Sequence, residues 1–223
     1  MATRPAKCCK ACDYNPRTGA GRFGRKSLQA CTTMNIHKPT RTLTPMPLIR
    51  PSRDEDLPAI AAIYAHHVLH GTGTFETEAP SASDMAARRA DVLAKGLPYL
   101  VAEQDGVIAG FAYGNWFKPR PAYRYSVEDS IYLAPDLHRK GLGRALLAEL
   151  LARCEAVGIR KVMAIVGDSD NAGSVGVHRC VGFTTVGTIN ACGWKFGAWR
   201  DIVIMQKTLG LGDTQPPPEV ASR

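Results

Sequence analysis

The chain has 223 residues, 45% of them hydrophobic, with a formal net charge of +8, enough for one core with tails. Its apolar runs are broken by charges well short of the roughly 18 residues that a membrane-crossing helix needs, so a soluble protein without a membrane partner is expected. The positive excess alone would suggest a nucleic-acid partner, but residues 1–45 hold nine Lys and Arg against the single acid Asp13; the remainder is balanced, and nucleic acid is not expected as a partner.

Residues 1–45 lack an amphipathic period and core-forming residues, so they read as a disordered basic extension. Met46 opens "MPLIRPSRDEDL" like a natural start, which favours an upstream extension of the frame over a targeting segment. "CCKAC" in this segment contains a CxxC, but no second pair follows at zinc-ligand spacing. Cys154, Cys180 and Cys192 are an odd number in the remainder. That argues against a disulfide framework and for a reducing compartment, the cytoplasm.

In "PSRDEDLPAIAAIYAHHVL", Ser52 as N-cap with Glu55 three residues on predicts a capping box, followed by Leu57, Ile60, Ile63 and Tyr64 at helical spacing. A Gly and Thr loop follows. "SASDMAARRADVLAKG" predicts a second helix, capped by Ser81 or Ser83 and closed by Gly96. "PYLVAEQDGVIAGFAYGNW" predicts a hairpin turning at Asp105-Gly106. "WFKPRPAY" is a proline-bearing loop, and "YSVEDSIYLAP" a strand ended by Pro135. A glycine turn then leads into a helix from about Gly143 to Val157. "RKVMAIVG" reads as a buried strand and "NAGSVGVHRCVGF" as a short helix. "TTVGTINA" and "WRDIVIMQKTL" read as two closing strands, with Trp199 in the core, and residues 210–223 as a disordered tail. The order α, α, β, β, β, α, β, α, β, β predicts a mixed sheet with helices on both faces.

The glycine turn, "HRKGLGRALLAELL", is the chemically informative stretch. It lacks the GxxxxGK[ST] of a P-loop, and Leu146 stands where a dinucleotide fingerprint needs its third glycine. Strand, glycine turn and helix N-terminus still suit a pyrophosphate, because outward N–H groups and the helix dipole favour an anion. A lone GxG is equally a tight strand-to-helix junction.

"YLAPDLHRKGLGRALL" followed by "DNAGSVGVHRCVGF" resembles the GNAT acyltransferase superfamily, with its (Q/R)xxGx(G/A) turn and its Asn, short helix, Gly-Phe ending. His138 stands where Gln or Arg is commonest. "FETEAP", "WFKPRPAY", "YSVEDSIYL", "SVGVHRCVGF" and "GWKFGAWRD" are similar, in order, to signatures of the phosphinothricin and methionine sulfoximine N-acetyltransferases. The likeness spans about residues 48–209 and implies an α+β fold of GNAT type: a mixed, mostly antiparallel twisted sheet with helices on both faces, forming a domain over 46–209. It implies acetyl-CoA as co-substrate and a small amino acid as acceptor, in a subfamily that is often dimeric. Acetylation of peptide N-termini and a coenzyme sensor without turnover are the rival readings.

By the same resemblance Glu128 is the base that takes a proton from the acceptor ammonium. Strand alternation puts Glu128, Ser130 and Tyr132 on one face and Asp129, Ile131 and Leu133 on the other. His178 stands where most of the superfamily has Tyr, as acid or base. Coenzyme contacts are implied at Ile131, Tyr132, Leu133, His138, Arg139, Lys140, Gly141, Leu142, Gly143, Arg144, Asn171 and Ser174, with a backbone N–H near Leu133 polarising the thioester carbonyl. An acceptor carboxylate needs a cation, for which Lys118, Arg120 and Arg124 are candidates. Phe75 and Thr77 would wall the pocket, and Lys195 to Trp199 would close it. His66, His67 and His70 have only helical spacing in their favour. No cluster in the folded part has metal-ligand spacing, so no metal is expected.

Overall fold

The computed structural model describes residues 47–135 and 141–217. The basic segment with its CxxC, the residues His138, Arg139 and Lys140, and the last six residues of the tail lie outside them.

Seven strands form one sheet in the order β1-β2-β3-β4-β5-β7-β6: β1 Leu48–Pro51, β2 Tyr99–Gln104, β3 Val107–Trp116, β4 Ser126–Leu133, β5 Lys161–Gly167, β6 Thr184–Lys195 and β7 Ala198–Thr208. Four helices flank it: α1 Leu57–His70, α2 Ala82–Ala94, α3 Leu142–Ala156 and α4 Ala172–Cys180. Neighbouring strands run antiparallel except β4 and β5. The expected mixed, mostly antiparallel sheet is what forms.

The hairpin turn falls at Asp105 and Gly106, with φ of 52° and 78°. Two consecutive positive φ values suit the right-handed twist of the flanking strands, and an Asp-Gly pair tolerates them. Phe196 and Gly197 repeat this geometry, φ 53° and 70°, between β6 and β7. The "KFGAW" stretch expected to close a pocket is therefore a hairpin tip, and β6 runs four residues past Ala191, the expected strand end, to Lys195.

Three local expectations are corrected. The 3-10 turn ahead of the first helix starts at Arg53, whose N–H donates to the Asp56 carboxylate at 2.7 Å; Ser52 instead accepts from Arg89 Nε at 2.7 Å. Residues 54–56 form a 3-10 turn before Leu57 opens α1. Leu48–Pro51 form an unforeseen edge strand, tied down by Arg50, which bonds Glu103 at 2.9 Å and Asp56 at 2.8 Å. Trp199, expected in the core, is 64% exposed, because the β6–β7 hairpin extends past the body of the sheet.

Helix α1 buries Ile60, Ile63, Tyr64 and Val68, and α2 buries Met85 and Val92. Helix α3 buries Leu146, Leu147 and Leu150 completely, each contributing roughly 1.5–3 kcal/mol by leaving water. Tyr132 of β4 meets Tyr64 of α1, ring centroids 4.9 Å apart. Leu133, its neighbour, lies against the start of α3 instead. Successive β4 side chains thus face opposite layers, which fixes the site described next.

Candidate active site

Strands β4 and β5 pair only through Ser126–Lys161, Val127–Val162 and Glu128–Met163. Beyond that point β4 stays with β3 as far as Leu133, and β5 stays with β7 as far as Gly167. The two strands therefore part like the arms of a V, and the gap opens a cavity of about 810 Å³.

One wall of this cavity reaches the N-terminus of α3. Gly141, at the N-cap, has φ of 79°, a left-handed conformation costly for any residue with a Cβ. Gly143 is needed for closeness, since a Cβ there would lie 3.3 Å from Leu133 Cδ1 and 3.7 Å from Val177. The leading N–H groups of a helix have no acceptor within it, and Arg144 adds a cation to the same wall. Leu142 lies outside the lining, its side chain buried in the core. A slot between parted strands, an anion-favouring helix start and a cation fit a long acyl carrier ending in a pyrophosphate.

Ile131, Tyr132 and Leu133 line the slot, as do Asn171 and Ser174. Asn171 also caps α4, its Oδ1 accepting from the Ser174 N–H at 3.1 Å. His67 lines the slot too and donates through Nε2 to the Leu133 carbonyl at 2.8 Å. Helical spacing gave no hint of that contact, which joins positions 66 residues apart.

Glu128, Tyr113 and Ser130 line the cavity on the α1 side of the sheet. Burial pushes the Glu128 carboxyl above its ordinary pKa, the Asp129 charge pushes the same way, and Lys118 opposes both. Phe75 lines the cavity because Gly193 leaves room for its ring, with which a Cβ there would collide, whereas a Cβ on Gly167 would strike the Thr72 carbonyl oxygen. Thr77 is exposed and outside the lining. Thr74 takes its place, held by the Tyr64 hydroxyl at 3.1 Å, and its carbonyl accepts from the buried Lys195 Nζ at 2.8 Å.

The three expected carboxylate-gripping cations lie in the loop before β4, outside the lining. Lys118 sits over the Phe117 ring at 4.9 Å. Arg120 is exposed, and Arg124 donates to the Pro121 carbonyl at 3.3 Å while covering Tyr125.

On the α4 side lies a pair that the sequence did not reveal. His178 Nε2 is 2.9 Å from Asp129 Oδ2, and Nδ1 is 2.7 Å from the Ser174 carbonyl. His178 is 2% exposed. Burial opposes its charge, but the hydrogen bond and charge of Asp129, with the Ser174 carbonyl, outweigh burial and hold the imidazole pKa above its usual value.

Residues 61–183 match the model of the acetyltransferase (GNAT) family, and the chain belongs to that family. It is 52% identical, over 76% of its length and 86% of the relative, to a phosphinothricin N-acetyltransferase of Alcaligenes faecalis. It is 40% identical, over 76% and 98%, to an L-methionine sulfoximine/L-methionine sulfone acetyltransferase of Pseudomonas aeruginosa. Among solved structures it resembles a phosphinothricin acetyltransferase from Sinorhizobium meliloti in complex with AcCoA, with a TM-score of 0.76, 41% identity and coverage of 78% and 94%. A ribosomal-protein-alanine N-acetyltransferase from Brucella melitensis matches with a TM-score of 0.70, 34% identity and coverage of 73% and 99%. The protein is an acetyl-CoA-dependent N-acetyltransferase.

Proposed function

We propose that this enzyme acetylates the α-amine of a small amino acid such as phosphinothricin or methionine sulfoximine, by direct attack of the amine on the thioester. The observation that carries this reading is Glu128, a carboxyl with a raised pKa at the fork of β4 and β5. A base of raised pKa accepts a proton more readily near neutrality than an ordinary carboxylate does. The ammonium gives its proton to Glu128, the free amine attacks the carbonyl carbon, and the carbon–sulfur bond breaks. Leu133, held through its carbonyl by His67, stays in place to offer its N–H to the carbonyl oxygen.

Phe75 and Tyr113 bound the acceptor side, which favours a compact substrate over an extended peptide. Lys118, Arg120 and Arg124 lie in the adjoining loop and supply the positive field for an acceptor carboxylate. We assign the catalytic domain to residues 46–209 and the active form to a homodimer. Cys154, Cys180 and Cys192 are free, which suits the reducing cytoplasm.

A panel of phosphinothricin, methionine sulfoximine, the ordinary amino acids and alanine-ended peptides, incubated with acetyl-CoA and read by mass spectrometry, tests the reading. Acetylation of the first two is expected. Acetylation of the peptides alone would replace the small acceptor with a protein N-terminus, and coenzyme binding without any product would leave a sensor.

A further inference from the structure

Consecutive carboxyls on β4 face opposite sides of the slot. Glu128 shares its face with Ser130 and with Tyr132, which meets Tyr64 of α1. Asp129 shares its face with Leu133, which abuts the first turn of α3, the end of the slot suited to the pyrophosphate. Glu128 is thus on the acceptor side and Asp129 on the coenzyme side.

The proton count of the Asp129–His178 pair follows from its geometry. A backbone carbonyl only accepts, so His178 Nδ1, 2.7 Å from the Ser174 oxygen, carries a hydrogen. Nε2 faces a carboxyl oxygen at 2.9 Å, so a second proton lies between them. Imidazolium with carboxylate and imidazole with carboxylic acid are two drawings of the same content. The Asp129 side chain is 1% exposed, yet its Oδ1 has no hydrogen-bond partner. A buried polar atom left unpaired costs roughly 1–3 kcal/mol, and both residues line the cavity. Oδ1 is the unpaired end of a proton-loaded pair.

We propose that Asp129 is a further catalytic residue, which, loaded by His178, protonates the departing coenzyme sulfur on the side of β4 opposite Glu128. The nitrogen–carbon bond forms and the carbon–sulfur bond breaks with its electron pair going to sulfur. Half a turn of the Asp129 carboxyl about Cβ–Cγ brings the shared proton to the slot, and sulfur leaves as a thiol. What remains is a carboxylate beside a neutral imidazole that keeps its Nδ1 hydrogen on the Ser174 carbonyl, leaving Nε2 and the carboxylate to take up the next proton between them. The ammonium loses two protons on its way to the amide: Glu128 holds one and the other leaves to solvent, so passing the Glu128 proton through solvent to the pair resets the site with one proton released. Without its proton, Asp129 would set a negative charge against the developing thiolate.

The groups around the pair leave its proton undisturbed. Cys154 of α3 has its thiol pushed up to about 12 by burial and by the Asp129 charge, so it stays neutral. Phe183 packs edge-on to the imidazole at 5.0 Å, β3 places Gly114 opposite Asp129, and among the described residues Glu128 is the further ionisable group that the Asp129 charge reaches.

The proposal rests on the amine-acetylating reading, and its test separates the two. kcat/KM for phosphinothricin is measured from pH 6 to 10 in the full-length wild type, Asp129→Asn and Glu128→Gln. The wild type should rise and then fall with pH. Asp129→Asn should lose roughly 100-fold in kcat and lose the alkaline fall, with the KM for acetyl-CoA within about twofold, whereas Glu128→Gln should lose the acidic rise and keep the fall. An unchanged kcat in Asp129→Asn, or a uniform loss at every pH with the fall retained, would overturn the proposal. An acidic rise that persists in Glu128→Gln would overturn the Glu128 assignment alone. Should Asp129→Asn not fold, nitrogen-15 spectra of the histidines in the wild type, assigned with His178→Gln, decide. A His178 ring that keeps both protons through pH 7.5 supports the pair, and ordinary titration near pH 6.5 sinks it.

Discussion

At the scale of single residues, the two proposed catalytic carboxyls, Glu128 and Asp129, are neighbours that the strand points to opposite faces. Glu128 lies within reach of Lys118, whose charge lowers the same pKa that burial and Asp129 raise. Removing that cation should let the carboxyl pKa climb further. Lys118→Met is therefore expected to move the acidic rise of kcat/KM to higher pH while leaving the plateau within a few-fold of wild type. If Lys118 instead grips the acceptor carboxylate, the acceptor KM will rise at every pH with the midpoint unmoved, because a lost ion contact weakens binding uniformly. Glu128 was legible because a strand pattern and a family signature converge on it. The Asp129–His178 pair was not, since the two residues are 49 positions apart and alternation shows only that Asp129 faces away from Glu128. Thr77 was chosen over Thr74 for a comparable reason: the Tyr64 hydroxyl, ten residues before Thr74, decides which threonine turns inward.

At the scale of elements, the parting of β4 from β5 makes the slot, and glycines on neighbouring strands set its width. A Cβ on Gly110 of β3 would lie 2.6 Å from Leu133 Cδ2 and 2.8 Å from the Tyr132 carbonyl oxygen, so Gly110→Ala must shift the arm of β4 that faces the coenzyme. A Cβ on Gly193 of β6 would instead strike the Phe75 ring, on the acceptor side. Overpacking of this kind costs about 1–3 kcal/mol, and both variants should melt several degrees lower. They should then part company: Gly110→Ala raising the KM for acetyl-CoA, and Gly193→Ala raising that for the acceptor. Equal changes in both constants would mean that the two walls are not independent. Most elements were readable because their signals are local: Ser81 with Asp84 caps α2, and Asp-Gly turns the first hairpin. Strand β1 escaped because four residues show no convincing alternation, and its anchor, Arg50 bonded to Glu103, joins residues 53 positions apart.

At the scale of the whole molecule, β6 closes one edge of the sheet with most of its side chains exposed. An edge strand of 12 residues offers unpaired backbone groups along its length, and proteins that keep such an edge blunt it with charge or cover it. This edge does neither within the described residues: Val186, Ile189 and Trp194 on β6 and Phe196 and Trp199 at the hairpin are exposed, the two tryptophans 58% and 64%, with ring centroids 5.3 Å apart. Burying a large aromatic cluster is the usual core of a stable interface, and a second copy of the same hairpin would present the matching surface across a two-fold axis. The proposed homodimer would use this face. Trp199→Glu, which places a charge at its centre, should convert a species of twice the 24.1 kDa chain mass into monomer on sizing with light scattering. Because Lys195 beside the hairpin turn bonds the Thr74 carbonyl in the acceptor wall, loosening the hairpin should also raise the acceptor KM more than that for acetyl-CoA. A wild type that elutes as monomer at micromolar concentration would remove the dimer.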